Sequence, residues 1–295
     1  MSTPQPAINR RKGILYLVSA CFFHALMSSC VRLAGDLPGP QKAFFRVLIM
    51  MLYSLILFKR KGESFYIEKK QRRPLILRGI CGALAILLNF YAVDRMNLAD
   101  ANMLNKLSPF FMVFFSWLLL KELFSLRDLF ALIFAFFGTL LIVKPGGVMP
   151  VLPALAGALS GIGSGLGNTY VRDAAQKGAS KERVVLVYSA IAVLICFPLT
   201  IMNYHPMTMK QVIALLACGI CSGIGHSLNV VAYASAPAHE ISVFEYSQVI
   251  FAALLGFALF GQIPDWLSFL GYAVIIGTGI VVFLQERREE RQTHE

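Results

Sequence analysis

Residues 101–122 read ANMLNKLSPFFMVFFSWLLLKE, and the fold turns on how they are understood. Between Leu107 and Leu120 there is no charged side chain, while Lys106 stands at the mouth of the run. An apolar run of this kind belongs either to a deep core or to lipid, and the rest of the chain decides between them. The protein has 295 residues, 57 % of them hydrophobic and 15 % charged, where a soluble domain carries about 25 % charged residues. The surplus recurs in blocks of about 16–24 residues, each long enough to cross a hydrocarbon layer of about 30 Å.

Ten such spans are expected: 13–34, 41–58, 75–94, 99–120, 126–143, 151–171, 184–203, 211–234, 240–260 and 266–285. Backbone groups in lipid must find their partners within the segment, and runs without a period of two exclude a β-barrel. The expected fold class is an all-α integral membrane protein.

The formal net charge of +11 suggests nucleic acid until the charges are placed. With the N-terminus in the cytoplasm, 20 Lys and Arg fall on the inside, counting Arg78 among them, and only 4 (Lys42, Arg95, Lys144, Lys210) fall outside. That asymmetry is the positive-inside signal, so the basic residues orient the chain against anionic lipid. No nucleic-acid partner is expected, and both termini are cytoplasmic.

The basic start followed by residues 13–34 is too long and lacks a cleavage site, so it is taken as a first helix that is retained. The six cysteines (21, 30, 81, 196, 218, 221) fall inside spans and are taken as small packing residues. Cys218 and Cys221 have the C-x-x-C spacing but no second ligand pair, so no metal site is expected. No cofactor motif is present either. The run GIGSGLGN at 161–168 imitates a nucleotide loop, but it follows no strand. Its pairs Gly161/Gly165 and Gly163/Gly167 are small-xxx-small steps for close helix approach.

Shifting the chain against itself by 140 positions exposes a repeat. Val31-Arg32 meets Val171-Arg172, Gly79-Ile80-Cys81 meets Gly219-Ile220-Cys221, and Leu88-Asn89 meets Leu228-Asn229. Each half then holds five spans, and an odd number makes the second half enter the membrane from the opposite side. Inverted repeats are the architecture of alternating-access carriers. The expected units are 13–143 and 151–285, with a cytoplasmic tail over 286–295.

Four stretches carry a family likeness: AFFRVLIMMLYSLILF (43–58), RGICGALAILLNFYAV (78–93), LSPFFMVFFSWLLLKELFSLRDLFALIFAFFGTLLIV (107–143) and FEYSQVIFAALLGFALFGQIPDWLSFLGYAVIIGTGIVV (244–282). Together they resemble the drug/metabolite transporter superfamily, in its ten-helix EamA branch. The resemblance implies a secondary carrier for small metabolites such as amino acids, amines or nucleotide-related compounds, often an exporter. It singles out Arg46, Pro109 and Glu122, and the second half departs from it with Gln262 where the domain usually has Glu.

Charged groups within a span cost about 2.5–3.5 kcal/mol on insertion scales, and they mark pathways. In the repeat register Asn105 matches Glu245 and Lys106 matches Tyr246, which sets two polar pairs on opposite sides of the midplane. The expected substrate-binding residues are Arg46, Asn89, Tyr91, Asn105, Lys106, Asn229, Glu245 and Tyr246. Arg46 and Lys106 would form a basic outer part of a cavity, and Glu245 and His226 an acidic or neutral inner part. Glu245, His226 and His24 are the candidates for carrying a coupling proton. The expected partners are the lipid bilayer, a small solute and a proton, in a bacterial-type inner membrane, as monomer or homodimer. A membrane-embedded enzyme acting on a lipid-linked substrate and an anion channel are the competing functions.

Overall fold

The computed structural model describes residues 10–121, 126–143, 151–235 and 242–294. Among them every regular element is helical. The helices are α1 (Arg10–Leu33), α2 (Gly39–Arg60), α3 (Lys69–Arg95), α4 (Leu98–Asn105), α5 (Ser108–Leu120) and α6 (Leu126–Val143). They continue as α7 (Val151–Gln176), α8 (Lys181–Met202), α9 (Met209–Ser235), a 3₁₀ turn at Ser242–Tyr246, α10 (Ser247–Phe260) and α11 (Trp266–His294). Among the described residues six segments are long and apolar enough to cross a membrane, and Leu129–Ile142, Phe244–Phe260 and Trp266–Val281 are shorter apolar helices. α7 falls below them in hydropathy because glycine and serine replace large apolar residues along it.

Large apolar side chains face outward. Phe130, Phe134 and Phe137 on α6 keep 58 %, 53 % and 56 % of their surface exposed, a stripe that only lipid would cover without cost. Small residues face inward instead: Ala20, Ala25, Ala43, Ala83 and Ala192 are completely buried. Without a hydrophobic drive between helices in lipid, close backbone approach through small residues is what holds such a bundle.

Exchanging the halves carries α1 to α7, α2 to α8, α3 to α9, the α4–α5 segment to residues 242–260, and α6 to α11. The main helix contacts survive that exchange. α1 on α9 becomes α7 on α3, α2 on α9 becomes α8 on α3, and α1 on α10 becomes α7 on α5. The contacts α2–α8 and α6–α11 map onto themselves, and α4 also packs on α10.

The correspondence reaches single residues. Gln71 Nε2 donates to the Lys177 carbonyl at the end of α7, and Gln211 Nε2 donates to the Ala34 carbonyl at the end of α1. A Cβ on Gly79 would stand 2.5 Å from Ile191 Cδ1, and one on Gly219 would stand 2.6 Å from Ile49 Cδ1. Lys121 ends α5 and Gly261 ends α10, both in the left-handed region at φ 58 and 62°.

The helix expected over 99–120 is not continuous. It breaks at Lys106–Leu107, where Ser108 and Pro109 start α5. Pro109 has no N–H for the Asn105 carbonyl, so the helical ladder is interrupted one turn before it. The equivalent segment breaks at the equivalent place without a proline: the 3₁₀ turn ends at Tyr246, and α10 begins at Ser247.

Candidate functional site

The two breaks face each other across the repeats, since α4 packs on α10. Lys106, the last residue of the first half-segment, reaches Glu245 with Nζ 3.3 Å from Oε2. The two side chains keep 13 % and 26 % of their surface accessible, so the pair is largely enclosed. The repeat register alone set Lys106 and Glu245 on opposite sides of the midplane; the structure closes them into one ion pair. The expected basic outer and acidic inner parts thus share this salt bridge.

The other members of the register pairs point elsewhere. Asn105 Nδ2 donates to Ser160 Oγ at 2.7 Å and to Ser164 Oγ at 3.4 Å, both on α7. Tyr246 is buried with its ring against Gly279 of α11.

The glycine run of α7 explains how the first break is packed. A Cβ on Gly161 would lie 2.5 Å from the Leu104 carbonyl oxygen, and one on Gly165 would lie 2.8 Å from the Ser108 carbonyl oxygen. Gly163 and Gly167 face α3 instead, at Ala85 and Arg78. The glycines therefore serve helix approach on two faces, as expected from their spacing. At the second break, Cys21 of α1 occupies the position equivalent to Gly161. Its Sγ lies 3.5 Å from the Glu245 carbonyl oxygen and 3.8 Å from that of Phe244.

A polar ladder extends from the pair. Asn102 Oδ1 accepts from Gln248 Nε2 at 2.7 Å and from Ser28 Oγ at 3.2 Å, joining α4, α10 and α1. Tyr272 Oη donates to Asp100 at 2.6 Å, joining α11 to α4. Sequence reasoning passed over these residues because each sits in an apolar run as an ordinary polar residue.

Arg46 lies deeper than its position near the start of span two suggested. Its Nε donates to Ser222 Oγ of α9 at 3.1 Å, and its guanidinium stands 5.6 Å from the Phe90 ring centroid. His24 packs against Gly225 of α9. His226 Nε2 and Asn229 Oδ1 are closed off from solvent and have no hydrogen-bond partner among the described residues. Tyr91 lies under the guanidinium of Arg95, 4.1 Å away, toward the end of α3. Asn89 is half-buried on α3 and makes no hydrogen bond to the described residues.

Two cations assigned to loops from the sequence are interior. Lys42 is completely buried and pairs with Asp94 at 2.6 Å. Arg78 lies 4.3 Å from the Tyr188 ring centroid, with its Nε buried and without a partner. The signal was present for Arg78, because the apolar span 75–94 already contains it. Charge counting by side drew it into the cytoplasmic set instead. Gln262, which replaces the family's acidic residue, accepts the Leu98 N–H at 3.0 Å and so caps α4. Glu122, its counterpart, lies outside the described residues. All six cysteines are free thiols.

Residues 11–144 and again 151–284 match the EamA-like transporter family. The chain belongs to that family. It is a multi-pass membrane transporter of the drug/metabolite type, as the sequence resemblance implied. The pseudopaline exporter CntI of Pseudomonas aeruginosa is 30 % identical over 270 residues, covering 90 % of this chain and 94 % of that protein. Solute carrier family 35 member G1 of Homo sapiens is 25 % identical, over 91 % of this chain and 78 % of its own. A solved crystal structure shares the fold with a TM-score of 0.66 at 19 % identity, covering 96 % of this chain and 100 % of that one.

Proposed function

We propose that this EamA-like transporter is a secondary carrier for a small zwitterionic or anionic organic solute, of the amino-acid class, across the cytoplasmic membrane. It works by alternating access between two inverted five-helix repeats, 13–143 and 151–285, with ten crossings and both termini in the cytoplasm. The charge asymmetry along the sequence supports that orientation. Export is the favoured direction, because a relative 30 % identical is named an exporter.

The observation that carries the reading is the Lys106–Glu245 pair at the two helix breaks, one residue from each repeat. Interrupted helices between repeats are where carriers of this kind hold their solutes. A zwitterion fits there chemically: its carboxylate competes for Lys106 and its ammonium for Glu245. Binding then opens the ion pair that ties the repeats together. A proton on Glu245 would release Lys106 in the same way, so proton coupling fits the same two residues. His24 and His226 are further candidates to relay that proton.

Reconstitution in liposomes tests this. Glu245→Gln and Lys106→Met are each expected to lower solute counterflow by at least about tenfold, a loss of about 1.4 kcal/mol in the transport barrier. Both variants should still be monodisperse in detergent. Counterflow at wild-type rates in both would exclude the pair from the transport path.

A further inference from the structure

The interior cations of this protein divide into two groups. Lys42 has Asp94 at 2.6 Å, Lys106 has Glu245 at 3.3 Å, and Arg183 has Glu63 at 3.3 Å. Arg32 donates to the carbonyls of Met96 and Val93 near the end of α3. Arg46 and Arg78 are different: among the described residues neither has a carboxylate partner. Arg46 has one serine hydroxyl and an aromatic face. Arg78 has only the face of Tyr188, and its Nε is sealed from solvent without an acceptor.

A buried charge without a counter-ion is a heavy desolvation debt, and a cation–π contact meets only a small part of it. Arg78 is such a charge at its sealed Nε, while Arg46 keeps part of its surface accessible and stands on the Phe90 ring farther along α3 and on Ser222, one turn before His226 on α9. The two arginines come from α2 and α3. Tyr188 adds α8, while Ser222, His226 and Asn229 add α9. The elements are prepared to hold Arg78 in place. Gly82 of α3 lies in contact with its Nη1, and a Cβ on Gly167 of α7 would stand 3.0 Å from the same atom. Two further buried polar atoms on α9 have no partner among the described residues, His226 Nε2 and Asn229 Oδ1, one turn apart on the helix.

We infer that Arg46 and Arg78 form an anion subsite between α2, α3, α8 and α9 that takes a dianionic solute group, two carboxylates or one phosphomonoester. Guanidinium forks suit both groups, because their planar donors match paired oxygens. On α9, Ser222, His226 and Asn229 follow at i, i+4 and i+7 on one face, so the Ser222 hydroxyl and His226 Nε2 would serve the same oxygens and Asn229 Oδ1 would accept from a solute hydroxyl or amine. The inference rests on the carrier reading for its purpose, and it changes the division of labour. Lys106 already has its carboxylate, so the arginines take the acidic end of the solute and the Lys106–Glu245 pair acts as the latch between repeats.

Thermal unfolding of the full-length protein in nanodiscs tests the subsite. The probes are succinate, glycerol 3-phosphate, acetate and succinamide. A dianion is expected to raise the unfolding temperature of the wild-type protein in a saturable way, with succinate and glycerol 3-phosphate separating the two chemistries; acetate and succinamide should not. Arg78→Gln is expected to abolish that shift while leaving the ligand-free unfolding temperature unchanged or higher, because an uncompensated charge has been removed. A merely structural arginine would give the opposite, a lower ligand-free temperature with the dianion shift retained. If Arg78→Gln fails to fold, Arg78→Lys decides: it keeps the charge but loses the planar fork, and is expected to bind the dianion at least about tenfold more weakly than wild type.

No stabilisation of the wild type by either dianion overturns the inference. So does an equal effect of acetate, a retained shift in Arg78→Gln, or wild-type dianion affinity in folded Arg78→Lys. Dianion counterflow in liposomes separates this from the carrier reading. Flux unaffected by Arg78→Gln leaves the carrier and removes the subsite. Binding that depends on Arg78 with no wild-type flux leaves the subsite and removes the carrier.

Discussion

The two helix breaks occupy equivalent positions and carry different chemistry. At the first, Asn105 is held by two serines of α7, and the glycines of α7 press against the open carbonyls. At the second, the position of Asn105 is filled by Glu245, which meets Lys106, and the position of Gly161 is filled by Cys21. At the position of Asn105 and Glu245 the first notch is neutral and closely packed against α7, while the second offers a carboxylate to Lys106 of the first and is cushioned by a thiol. A duplicated scaffold thus supplies two equivalent interruptions, and side-chain replacement gives one a hydrogen-bonded packing joint and the other a salt bridge across the repeats.

Breaking the neutral notch should have the largest effect. Gly161→Val would drive a branched side chain into the Leu104 carbonyl, which is backbone and cannot turn away. Overpacking of that kind costs about 1–3 kcal/mol or more. The expected outcome is a large fall in unfolding temperature, read in detergent, with little folded protein recovered. Cys21→Val at the equivalent place should be far milder, because a side chain is already accommodated there. Equal losses would show that the two notches are packed alike.

The charged notch breaks asymmetrically. Glu245→Gln leaves Lys106 enclosed without its carboxylate, and removing one partner of a buried pair costs about 3–5 kcal/mol. Residual accessibility of the pair puts the expectation toward the low end of that range or below it. The double variant Lys106→Met with Glu245→Gln should recover much of the stability while remaining inactive in transport. Such a cycle isolates the coupling between the two residues. Additive losses would mean that the pair does not hold the repeats together.

Making the notches alike sharpens the comparison. Asn105→Asp replaces the amide that donates to Ser160 with a carboxylate one residue from Lys106, and the added negative charge should weaken the latch with a smaller loss of stability. Counterflow with altered solute affinity is the expected readout; an unchanged affinity would confine Asn105 to packing. The smallest effect belongs to Gln262→Ala, which removes the acceptor for the Leu98 N–H. Loss of a helix cap costs about 1 kcal/mol. The expected fall of a few degrees in unfolding temperature would leave transport near wild type.

Much of the fold was readable before any coordinates. Period, run length and charge asymmetry expose helices in lipid, because a bilayer forces each backbone to satisfy itself and each charge to choose a side. The offset of 140 residues made the duplication visible through Gly79-Ile80-Cys81 and Gly219-Ile220-Cys221, and the structure gives Gly79 and Gly219 the same packing partner, an isoleucine. Lys106 and Glu245 also stood out, because a charge inside an apolar run has few innocent explanations.

Their contact was not legible, because register along a helix carries no information about which helix stands opposite. The same ignorance hid the surroundings of Arg78 and Lys42: the spans 75–94 and 41–58 contain them, but near a span's end only the neighbouring helices decide whether a charge turns inward or to a loop. Asp100, Asn102 and Gln248 became a network only when α4, α10, α1 and α11 met. The sequence by itself determined a duplicated, membrane-bound helical transporter, because those properties follow from local composition and repetition. The tertiary structure decided which charges are paired and which are left over, because pairing is a matter of distance between helices, and no local rule encodes that distance.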